Sequence, residues 1–276
     1  MARFVPDSKT GRWVIIAPAR VNRPHDNTVA QDIVGQCVFC PGNEKLNPVD
    51  LLRIGGQTGD ASWQLRVIPN KFPITDFHEV IIHSPDHQKD IDSLPLSQVE
   101  LILTTYRQRY NYHIANKNGK VLIFNNHDAH AGASIKHPHS QLVVVPGQIH
   151  LGVIPREPTQ NVVMESDNFT VYCPDFSQWP YELWITLKDN TTDTFGQISD
   201  GEIKDLAVLL QRFLGFIIKK FRKNEADVPY NFYIYHGADW YLRIIPRLIH
   251  RAGFELGTGL SVNIVDPALA AQEYKQ

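Results

Sequence analysis

Two histidines that flank a proline are the residues of this 276-residue chain whose types and spacing most directly indicate chemistry. His137 and His139 lie two positions apart, just before an apolar run at 142–145 that predicts a buried strand. Side chains two apart on an extended backbone point to the same face, so both imidazoles can line one cleft. Neutral imidazole is a metal ligand and, near neutral pH, a nucleophile. The pattern predicts a chemical site and leaves open which histidine binds a metal and which reacts.

A second chemical pattern is the C-x-x-C pair formed by Cys37 and Cys40. Such a pair is either a thiol redox site or half of a zinc site. The redox motif usually opens a helix in a β-α-β unit. Here Pro41 follows and no such unit is visible, which favours a metal. Together with His87 and His137 the pair would form a tetrahedral Cys₂His₂ site. Four other histidines compete for this role: His78, His83, His127 and His130.

Other polar residues have both a functional and a structural interpretation. Arg20 and Arg23 follow the first predicted strand, and a planar guanidinium suits phosphate oxygens. Paired surface arginines are more often only solvated, and spacing alone favours that state. His78 precedes Glu79 and is, as an alternative to a metal ligand, a core histidine bonded to a neighbouring carboxylate.

Composition and charge limit the class of protein. The formal net charge is −2 and no Lys/Arg-rich run is present, which argues against nucleic acid as the main partner. The N-terminus lacks the apolar core of a signal peptide, and the most apolar helical stretch, 213–218, is far too short to span a bilayer. Three cysteines, two of them in the C-x-x-C pair, fit a reducing compartment. These observations predict a cytoplasmic protein with no membrane partner.

The elements that must position these residues are strands and two long helices. Capping boxes beginning at Ser97 and Ser199 each precede apolar residues at three- and four-residue spacing, which predicts a helix after each. Asp266 and Pro267 predict the start of a short final helix. Apolar runs predict strands at 11–17, 63–69, 79–82, 120–124, 142–145, 169–172, 182–186, 230–235 and 241–245.

The second half of the chain repeats the plan of the first. The two capping boxes lie 102 positions apart, and the same offset carries residues 137–141 onto 239–243, which again precede apolar residues. The second copy has Asp239 and Tyr241 where the first has histidines. The duplication predicts two fused copies of a small α+β unit with chemistry in only one. The expected boundary lies within 148–160.

These motifs, in this order, resemble the galactose-1-phosphate uridylyltransferase family of the histidine-triad superfamily. That family includes close relatives that act as nucleoside-diphosphate-sugar phosphorylases. The resemblance runs nearly from end to end, and the number of matching segments makes it specific. The matching segments are 10–14 with Arg20 and 23–24, then 37–44, 69–73, 78–80, 84–87, 132–134, 137–141 and 252–259.

The resemblance implies an α+β fold of two fused histidine-triad-like halves, each an antiparallel sheet with packed helices. The half at 1–150 would carry the metal and catalytic motifs, and the half at 151–276 would lack them. A homodimer is also implied. The implied metal is a structural zinc ion bound by Cys37, Cys40, His87 and His137.

The implied activity is that of a galactose-1-phosphate uridylyltransferase, a ping-pong enzyme of galactose metabolism. His139 is the implied nucleophile, which attacks the α-phosphorus of UDP-glucose, forms a uridylyl-histidine and releases glucose 1-phosphate. Galactose 1-phosphate then takes the nucleotide. One ring nitrogen of His139 needs an acceptor for its proton, and the carbonyl of a zinc-anchored His137 is close enough. Gln141, on the same face, can donate to a phosphoryl oxygen.

The resemblance also implies residues that bind the phosphates of the nucleotide sugar and the hexose 1-phosphate. A small-residue loop offers backbone N–H groups and one hydroxyl, through Gly132, Ala133 and Ser134. In the context of this resemblance, Arg20 and Arg23 are expected to bind the phosphates as clamps.

Further contacts and one departure bear on the choice of nucleotide. Asn70 and Phe72 are expected to contact the base and ribose, and Asn126 a phosphate or the ribose. Each of these is alternatively a turn residue at a strand end. Ser140 stands where many uridylyltransferases have glycine, and serine there resembles the phosphorylase and adenylyl-transferring relatives. We therefore expect position 140 to influence the choice of nucleotide and acceptor.

Two other functions fit the same residues. In the first, the same histidine serves an ADP-sugar or other nucleoside-diphosphate-sugar phosphorylase, with inorganic phosphate as the acceptor. In the second, the protein is a zinc-stabilised module that binds nucleotides without turnover. The presence of both His139 and Gln141 disfavours the second, because a copy without catalysis would be free to lose them, as the second half did.

Overall fold

The computed structural model describes residues 2–7, 12–23, 37–57, 62–116, 119–151, 159–188, 193–224 and 227–276. Gly11 of the first predicted strand and most of the expected boundary at 148–160 lie outside these residues. The described residues form twelve strands and four α-helices, and no helix among them is long and apolar enough to cross a membrane.

The elements follow one another in two similar series. The first series is β1 (Arg3–Pro6), β2 (Trp13–Ile16), β3 (Leu52–Ile54), β4 (Leu65–Pro69), β5 (His78–Ile82), α1 (Leu96–Asn116), β6 (Gly119–His127) and β7 (His139–Pro146). The second series is β8 (Val162–Glu165), β9 (Phe169–Tyr172), β10 (Leu183–Leu187), α2 (Asp200–Phe221), β11 (Tyr230–Ile234), β12 (Tyr241–Pro246), α3 (Gly253–Thr258) and α4 (Pro267–Tyr274).

Ten of the strands form one antiparallel sheet in the order β3-β4-β5-β7-β6-β11-β12-β10-β9-β8. The order is the same when each half is read from its outer edge inward, and in both halves the strand that follows the long helix lies at the centre of the sheet. β6 and β11 pair there, with Asn126 opposite Asn231. The predicted α+β fold of two antiparallel halves is confirmed, and the two sheets are continuous. Their junction gives both strands partners on each side, which removes two exposed edges.

The two long helices pack on one face of this sheet and form the main core with its apolar side chains. α2 begins with the predicted capping box, in which Ser199 Oγ accepts from the Glu202 N–H and the Glu202 carboxylate accepts from the Ser199 N–H. Asp266 caps α4 as predicted. The strand residues beneath the helices include Leu142 and Val144 of β7. The helix layer therefore supports β7 from behind.

The capping box predicted at Ser97 is wrong. α1 begins at Leu96, and the Pro95 carbonyl accepts from the Gln98 N–H. The Gln98 side chain is used elsewhere, because it donates to the His83 carbonyl at 2.7 Å. A proline at the helix start and a tertiary contact with the sheet, rather than a serine cap, define this end of α1.

The opposite face of the sheet carries the residues singled out by the sequence. Side chains alternate along β7, so His139, Gln141, Val143 and Val145 point away from the helices. The hairpin of β1 and β2 covers the two valines through Trp13 and its neighbours. The end of β7 that holds His139 and Gln141 instead faces a cavity.

Strand ends differ from the prediction where polar residues continue the pairing. The apolar pattern ends β6 at Phe124, whereas the strand runs on to His127 because Asn125 pairs with Ser140 of β7 and residues 123–127 pair with β11. The sequence does not predict β1, β3 or β8, which are three or four residues long. Their pairing with neighbouring strands, rather than an apolar pattern of their own, defines them.

Candidate functional site

Cys37, Cys40, His87 and His137 converge at one buried point. One ligand atom from each lies within 4.8 Å of all the others. The cysteines come from a tight turn in which the Cys37 carbonyl accepts from the Cys40 N–H, His87 follows β5, and His137 precedes β7. The structure therefore brings together the four residues that the resemblance implies as metal ligands.

The donor set fits a tetrahedral cation. Cys40 Sγ lies 3.3 Å from His87 Nδ1 and 3.7 Å from His137 Nδ1, and ligand atoms at usual zinc bond lengths are about 3.5 Å apart in a tetrahedron. His137 Nε2 donates to the Ser84 carbonyl at 2.8 Å, which leaves the Nδ1 lone pair facing the sulfur atoms. Burial raises the pKa of the Cys37 thiol to about 11, so a cation is needed to keep this buried sulfur as a thiolate.

His139 begins β7 beside this cluster, and its side chain is only 8% exposed. Its Nδ1 donates to the His137 carbonyl at 2.9 Å, so the neutral ring has its proton on Nδ1 and its lone pair on Nε2. Burial lowers the pKa of His139 to about 4, which keeps the ring neutral at physiological pH. Because the His137 ring belongs to the cysteine cluster, that cluster also holds the carbonyl that orients His139.

Phe39 is a residue of this site that the sequence analysis missed. It lies between the two cysteines, and its ring makes edge contacts with the rings of His137 and His139, at centroid distances of 6.2 Å and 5.4 Å. Its place inside the C-x-x-C turn is the only signal in the sequence that could have indicated it. The turn supports both histidines by packing as well as through its sulfur atoms.

A cavity opens in front of His139. Its apolar walls come from the C-x-x-C turn, β4 and β5, through Phe39, Ile68 and Val80. A largely apolar cleft with a few polar groups is typical of a small-molecule site. Six residues predicted to act on or bind the substrate line it: Arg23, Asn70, Phe72, Ser134, His139 and Gln141.

Both predicted phosphate clamps approach this cavity from the segment after β2. Arg23 donates to Ser134 Oγ at 3.1 Å and to the Gly132 carbonyl at 3.0 Å. Arg20 donates to the Phe72 carbonyl at 2.7 Å, so it supports the cavity wall without lining it. Because these partners carry no charge, the hydrogen bonds leave both positive charges available to attract an anion.

The small-residue loop presents fewer N–H groups to a ligand than the sequence suggests. The N–H groups of Gly132 and Ala133 donate to the carbonyls of Ala129 and Asp128, which precede the loop. Gly132 has a φ of +91°, a conformation that favours glycine. Ser134 is the loop residue whose hydroxyl, held by Arg23, faces the cavity. The loop therefore contributes a hydroxyl and a bound arginine rather than a row of backbone donors.

Asn126 does not line the cavity. Its Oδ1 accepts from Asn231 Nδ2 of β11 at 2.9 Å, and the same Asn231 amide donates to the Ala131 carbonyl at 2.9 Å. These bonds connect the small-residue loop to the second half of the chain. A ligand contact at Asn126 stays a prediction.

Three of the competing histidines are bonded to carboxylates. His83 Nδ1 and His127 Nδ1 lie 2.8 Å and 2.9 Å from the two oxygens of the buried Asp90. Burial alone would raise the pKa of Asp90, but hydrogen bonds from His127 and His83 hold it well below its usual range. His130 Nδ1 lies 3.0 Å from Asp128 Oδ1. These three rings are therefore not members of the cysteine cluster.

The fourth competitor, His78, lies beside Gln141 instead of a carboxylate. Its Nε2 is 2.9 Å from Gln141 Oε1. Glu79 projects to the opposite face of β5, where it accepts from Arg109 at 2.8 Å. Strand alternation thus separates His78 from the carboxylate next to it in sequence.

Ser140 lies on the helix face of β7, away from the cavity. Its side chain is fully buried, and its Oγ lies 2.8 Å from His83 Nε2 and is hydrogen-bonded to the Tyr106 hydroxyl. The serine hydroxyl therefore cannot contact a ligand on the His139 face. An influence of position 140 on specificity would have to act through the position of β7.

Comparison with known proteins agrees with this arrangement. Residues 77–145, which include β5 and most of β7, match the family model described as Galactose-1-phosphate uridyl transferase, N-terminal domain. An ADP-glucose phosphorylase from Arabidopsis thaliana is 28% identical over 98% of this chain and 91% of its own length. A galactose-1-phosphate uridylyltransferase from Thermotoga maritima is 24% identical over 97% of this chain and 96% of its own length.

Solved structures share the fold over the whole chain. The crystal structure of an ADP-glucose phosphorylase from Arabidopsis thaliana with bound ADP-glucose gives a TM-score of 0.76 at 28% identity, covering 100% of this chain and 99% of that chain. A uridylyltransferase structure gives 0.75 at 21% identity, covering 100% and 98%, which supports the fold alone. The chain is therefore similar over nearly its whole length to galactose-1-phosphate uridylyltransferases and to an ADP-glucose phosphorylase, and these similarities support an enzyme of the nucleotidyltransferase type.

Proposed function

We propose that this enzyme moves a nucleotidyl group from a nucleoside-diphosphate sugar to a phosphate-bearing acceptor through a covalent bond to His139 Nε2. The observation that carries the proposal is the hydrogen bond from His139 Nδ1 to the His137 carbonyl at 2.9 Å, because it leaves the lone pair on Nε2. Burial keeps the ring neutral, and a neutral imidazole can attack phosphorus without a separate base.

In the first half-reaction, Nε2 of His139 bonds to the α-phosphorus. The bond between this phosphorus and the bridging oxygen breaks, and the sugar 1-phosphate leaves with the electron pair. Nδ1 keeps its proton, so the ring carries a positive charge while it holds the nucleotide, and the His137 carbonyl stabilises that charge. In the second half-reaction an oxygen of the acceptor phosphate bonds to the phosphorus, and the P–N bond breaks to restore neutral His139.

Donors around the cavity would stabilise the charge that develops on the α-phosphoryl oxygens. Gln141, Ser134 and Arg23 all line the cavity with His139, and Arg23 holds the Ser134 hydroxyl at 3.1 Å. Fixed donors in a cleft that excludes water are the usual means of stabilising such a transition state. Asn70 and Phe72, on the same cavity wall, are the proposed contacts of the base and ribose.

The form of the reaction that we propose first is phosphorolysis of an ADP-sugar by inorganic phosphate, with ADP and a sugar 1-phosphate as products. Similarity to the Arabidopsis thaliana ADP-glucose phosphorylase over nearly the whole chain supports it. The second candidate is uridylyl transfer from UDP-glucose to galactose 1-phosphate, supported by the matching family model and the Thermotoga maritima relative. The two reactions share the histidine and differ in base and acceptor.

We propose zinc as the ion of the cluster formed by Cys37, Cys40, His87 and His137. Two sulfur and two imidazole donors are a zinc-type set, and the cluster is buried. An ion there would supply structural rigidity only: it would hold the C-x-x-C turn and His137, and through them the carbonyl that orients His139.

Three features of organisation are further proposals. The chain divides near residue 150 into a catalytic half and a half without the catalytic motif. The enzyme is a homodimer, which light scattering during size-exclusion chromatography tests. It works in the reducing cytoplasm, a proposal supported by three cysteines that are all free and buried in the described residues.

Labelling in the absence of an acceptor tests the proposed function. The protein is incubated with ADP-glucose or UDP-glucose carrying radiolabel in the α-phosphate, and we expect one donor to leave acid-labile, base-stable label on the protein. Release of the label by inorganic phosphate indicates a phosphorylase, and release by galactose 1-phosphate indicates a uridylyltransferase. If neither donor labels the protein, the alternative of a nucleotide-binding protein without turnover is favoured.

A further inference from the structure

The proton positions of His78 can be read from its neighbours. His78 lies on β5 and is buried, and its Nδ1 accepts a hydrogen bond from the Ile74 backbone N–H at 2.9 Å. A backbone N–H can only donate, so Nδ1 carries no proton. A neutral imidazole has one proton, and here that proton is therefore on Nε2.

This tautomer determines the orientation of the Gln141 amide. His78 Nε2 lies 2.9 Å from Gln141 Oε1, and a protonated ring nitrogen needs an acceptor there. Only the oxygen of an amide can accept, so the carbonyl end of Gln141 is held against His78. The NH₂ end is left on the side of the cavity, which Gln141 lines together with His139.

The position of the same proton also determines which atoms of the Asn70 amide remain available to a ligand. Its Oδ1 accepts from the Phe72 N–H at 2.8 Å, which leaves its NH₂ group 3.1 Å from His78 Nε2. Two donors do not form a hydrogen bond with each other, so the Asn70 protons remain for another acceptor. Asn70 also lines the cavity, and the part of the wall formed by Gln141 and Asn70 thus presents two amide NH₂ groups.

We propose that His78 is a positioning residue that holds Gln141 with its NH₂ group toward the α-phosphoryl oxygens and its carbonyl away from them. This inference rests on the proposed function. Without His78 the amide is free to turn about its last torsion, and its oxygen would then face the negative charge that develops on the phosphoryl group. A fixed donor at such a position is worth about 10²–10³-fold in kcat in other enzymes.

Two substitutions test the contributions of the two nitrogen atoms of His78 separately. His78→Asn keeps an acceptor at the place of Nδ1 for the Ile74 N–H and has no donor at the place of Nε2. His78→Gln can put an NH₂ group at the place of Nε2 and has no acceptor at the place of Nδ1. We expect the asparagine variant to lose kcat by about 10- to 100-fold, with KM little changed, and the glutamine variant to recover most of that loss. Equal kcat in wild type and the asparagine variant would overturn the inference.

A double-mutant cycle distinguishes positioning from a general structural effect. In a Gln141→Ala background the amide that His78 orients is absent, so His78→Asn should cause no further loss of kcat. A loss as large as in the wild-type background would show that His78 acts on something other than Gln141. Thermal unfolding of each variant verifies that it is folded at the assay temperature.

A stability cycle keeps the inference testable if the proposed function fails. Absence of label and of turnover in the wild-type enzyme would reject the proposed function. The unfolding free energies of His78→Asn, Gln141→Ala and the double variant still report the contact between the two side chains, and we expect them to be non-additive. Additive values would reject the role of His78 independently of any assay of activity.

Discussion

β7 of the first half and β12 of the second half lie at equivalent places in the repeated sheet, yet the surroundings of their side chains differ. β7 directs His139 and Gln141 to a cavity. β12 has Tyr241 and Arg243 at the corresponding positions, 102 residues later, and both are buried. The backbone is therefore not what makes one of these strands a site.

The side chains of β12 are satisfied by residues in or next to the neighbouring strands β10 and β11. Arg243 donates to both oxygens of Glu182, at 2.7 Å and 2.8 Å. Tyr241 stacks on Trp184 and Tyr235, at centroid distances of 4.1 Å and 5.0 Å. Where the second half has a buried ion pair and a group of stacked rings, the first half keeps neutral polar groups whose remaining donors and lone pair face a cavity. The comparison indicates that function lies in the groups that the fold leaves available.

Removal of the proposed nucleophile should produce the largest difference in activity between changes at β7 and changes at β12. In His139→Gly we expect kcat to fall by about 10⁴-fold or more, as in other enzymes that lose a covalent nucleophile. No acid-labile label should remain on the protein, and circular dichroism should be unchanged. The matched control is Tyr241→Phe at the equivalent place of β12, which should keep turnover close to wild type. Normal turnover in His139→Gly would remove this residue from the reaction.

The second-largest effect is expected from disruption of the cysteine–histidine cluster that supports the first half. Cys40→Ser removes one sulfur ligand from the group formed with Cys37, and we expect lower zinc content, a lower Tm and reduced turnover, because metal binding contributes directly to folding free energy. Cys173→Ser, which changes another buried cysteine outside the cluster, should leave zinc content unchanged. Unchanged metal stoichiometry in Cys40→Ser would exclude Cys40 as a ligand.

Breaking the ion pair of the second half should affect stability and not chemistry. Glu182→Ala leaves the buried Arg243 without its partner, which costs about 3–5 kcal/mol of unfolding free energy. Asp200→Ala breaks an exposed pair with Arg107 and should cost about 0–1 kcal/mol. Denaturant unfolding measures both changes. A kcat per folded molecule that falls with Glu182→Ala, and not with Asp200→Ala, would contradict the purely structural role of the second copy.

Acidification should produce the smallest of these differences, a change in unfolding free energy that depends on His139 and not on Tyr241. Burial lowers the pKa of His139 from 6.5 to about 4, so between these values the unfolded chain binds a proton that the folded chain does not. The unfolding free energy should therefore fall as pH falls through this window. Burial raises the pKa of Tyr241, so its counterpart in β12 does not titrate there. Unfolding of wild type and His139→Gly from pH 7 to 4 measures the difference, and parallel curves would contradict it.

Much of the architecture was predictable because its causes are local. The capping box at Ser199 and the Asp266 cap depend on residues within four positions of each other, and both are as predicted. Spacing of the capping boxes and of the 137–141 motif also predicted the duplication. The prediction at Ser97 was wrong because the helix already begins at Leu96, after Pro95, whose carbonyl accepts from the Gln98 N–H, so that Ser97 lies inside the first turn.

The sequence by itself determined the two repeated units, the order of most of their strands and of the two long helices, and the residue types that chemistry requires. Only the tertiary structure decided which histidine meets the cysteines, which partner His78 binds and which face Ser140 occupies. Sequence spacing specifies neighbours along one strand, whereas these contacts join β5, β7 and loops that approach each other only when the sheet is assembled. Strand register across the sheet depends on residues far apart in the chain. It determines which of several chemically equivalent residues becomes the partner, so the local sequence does not reveal that choice.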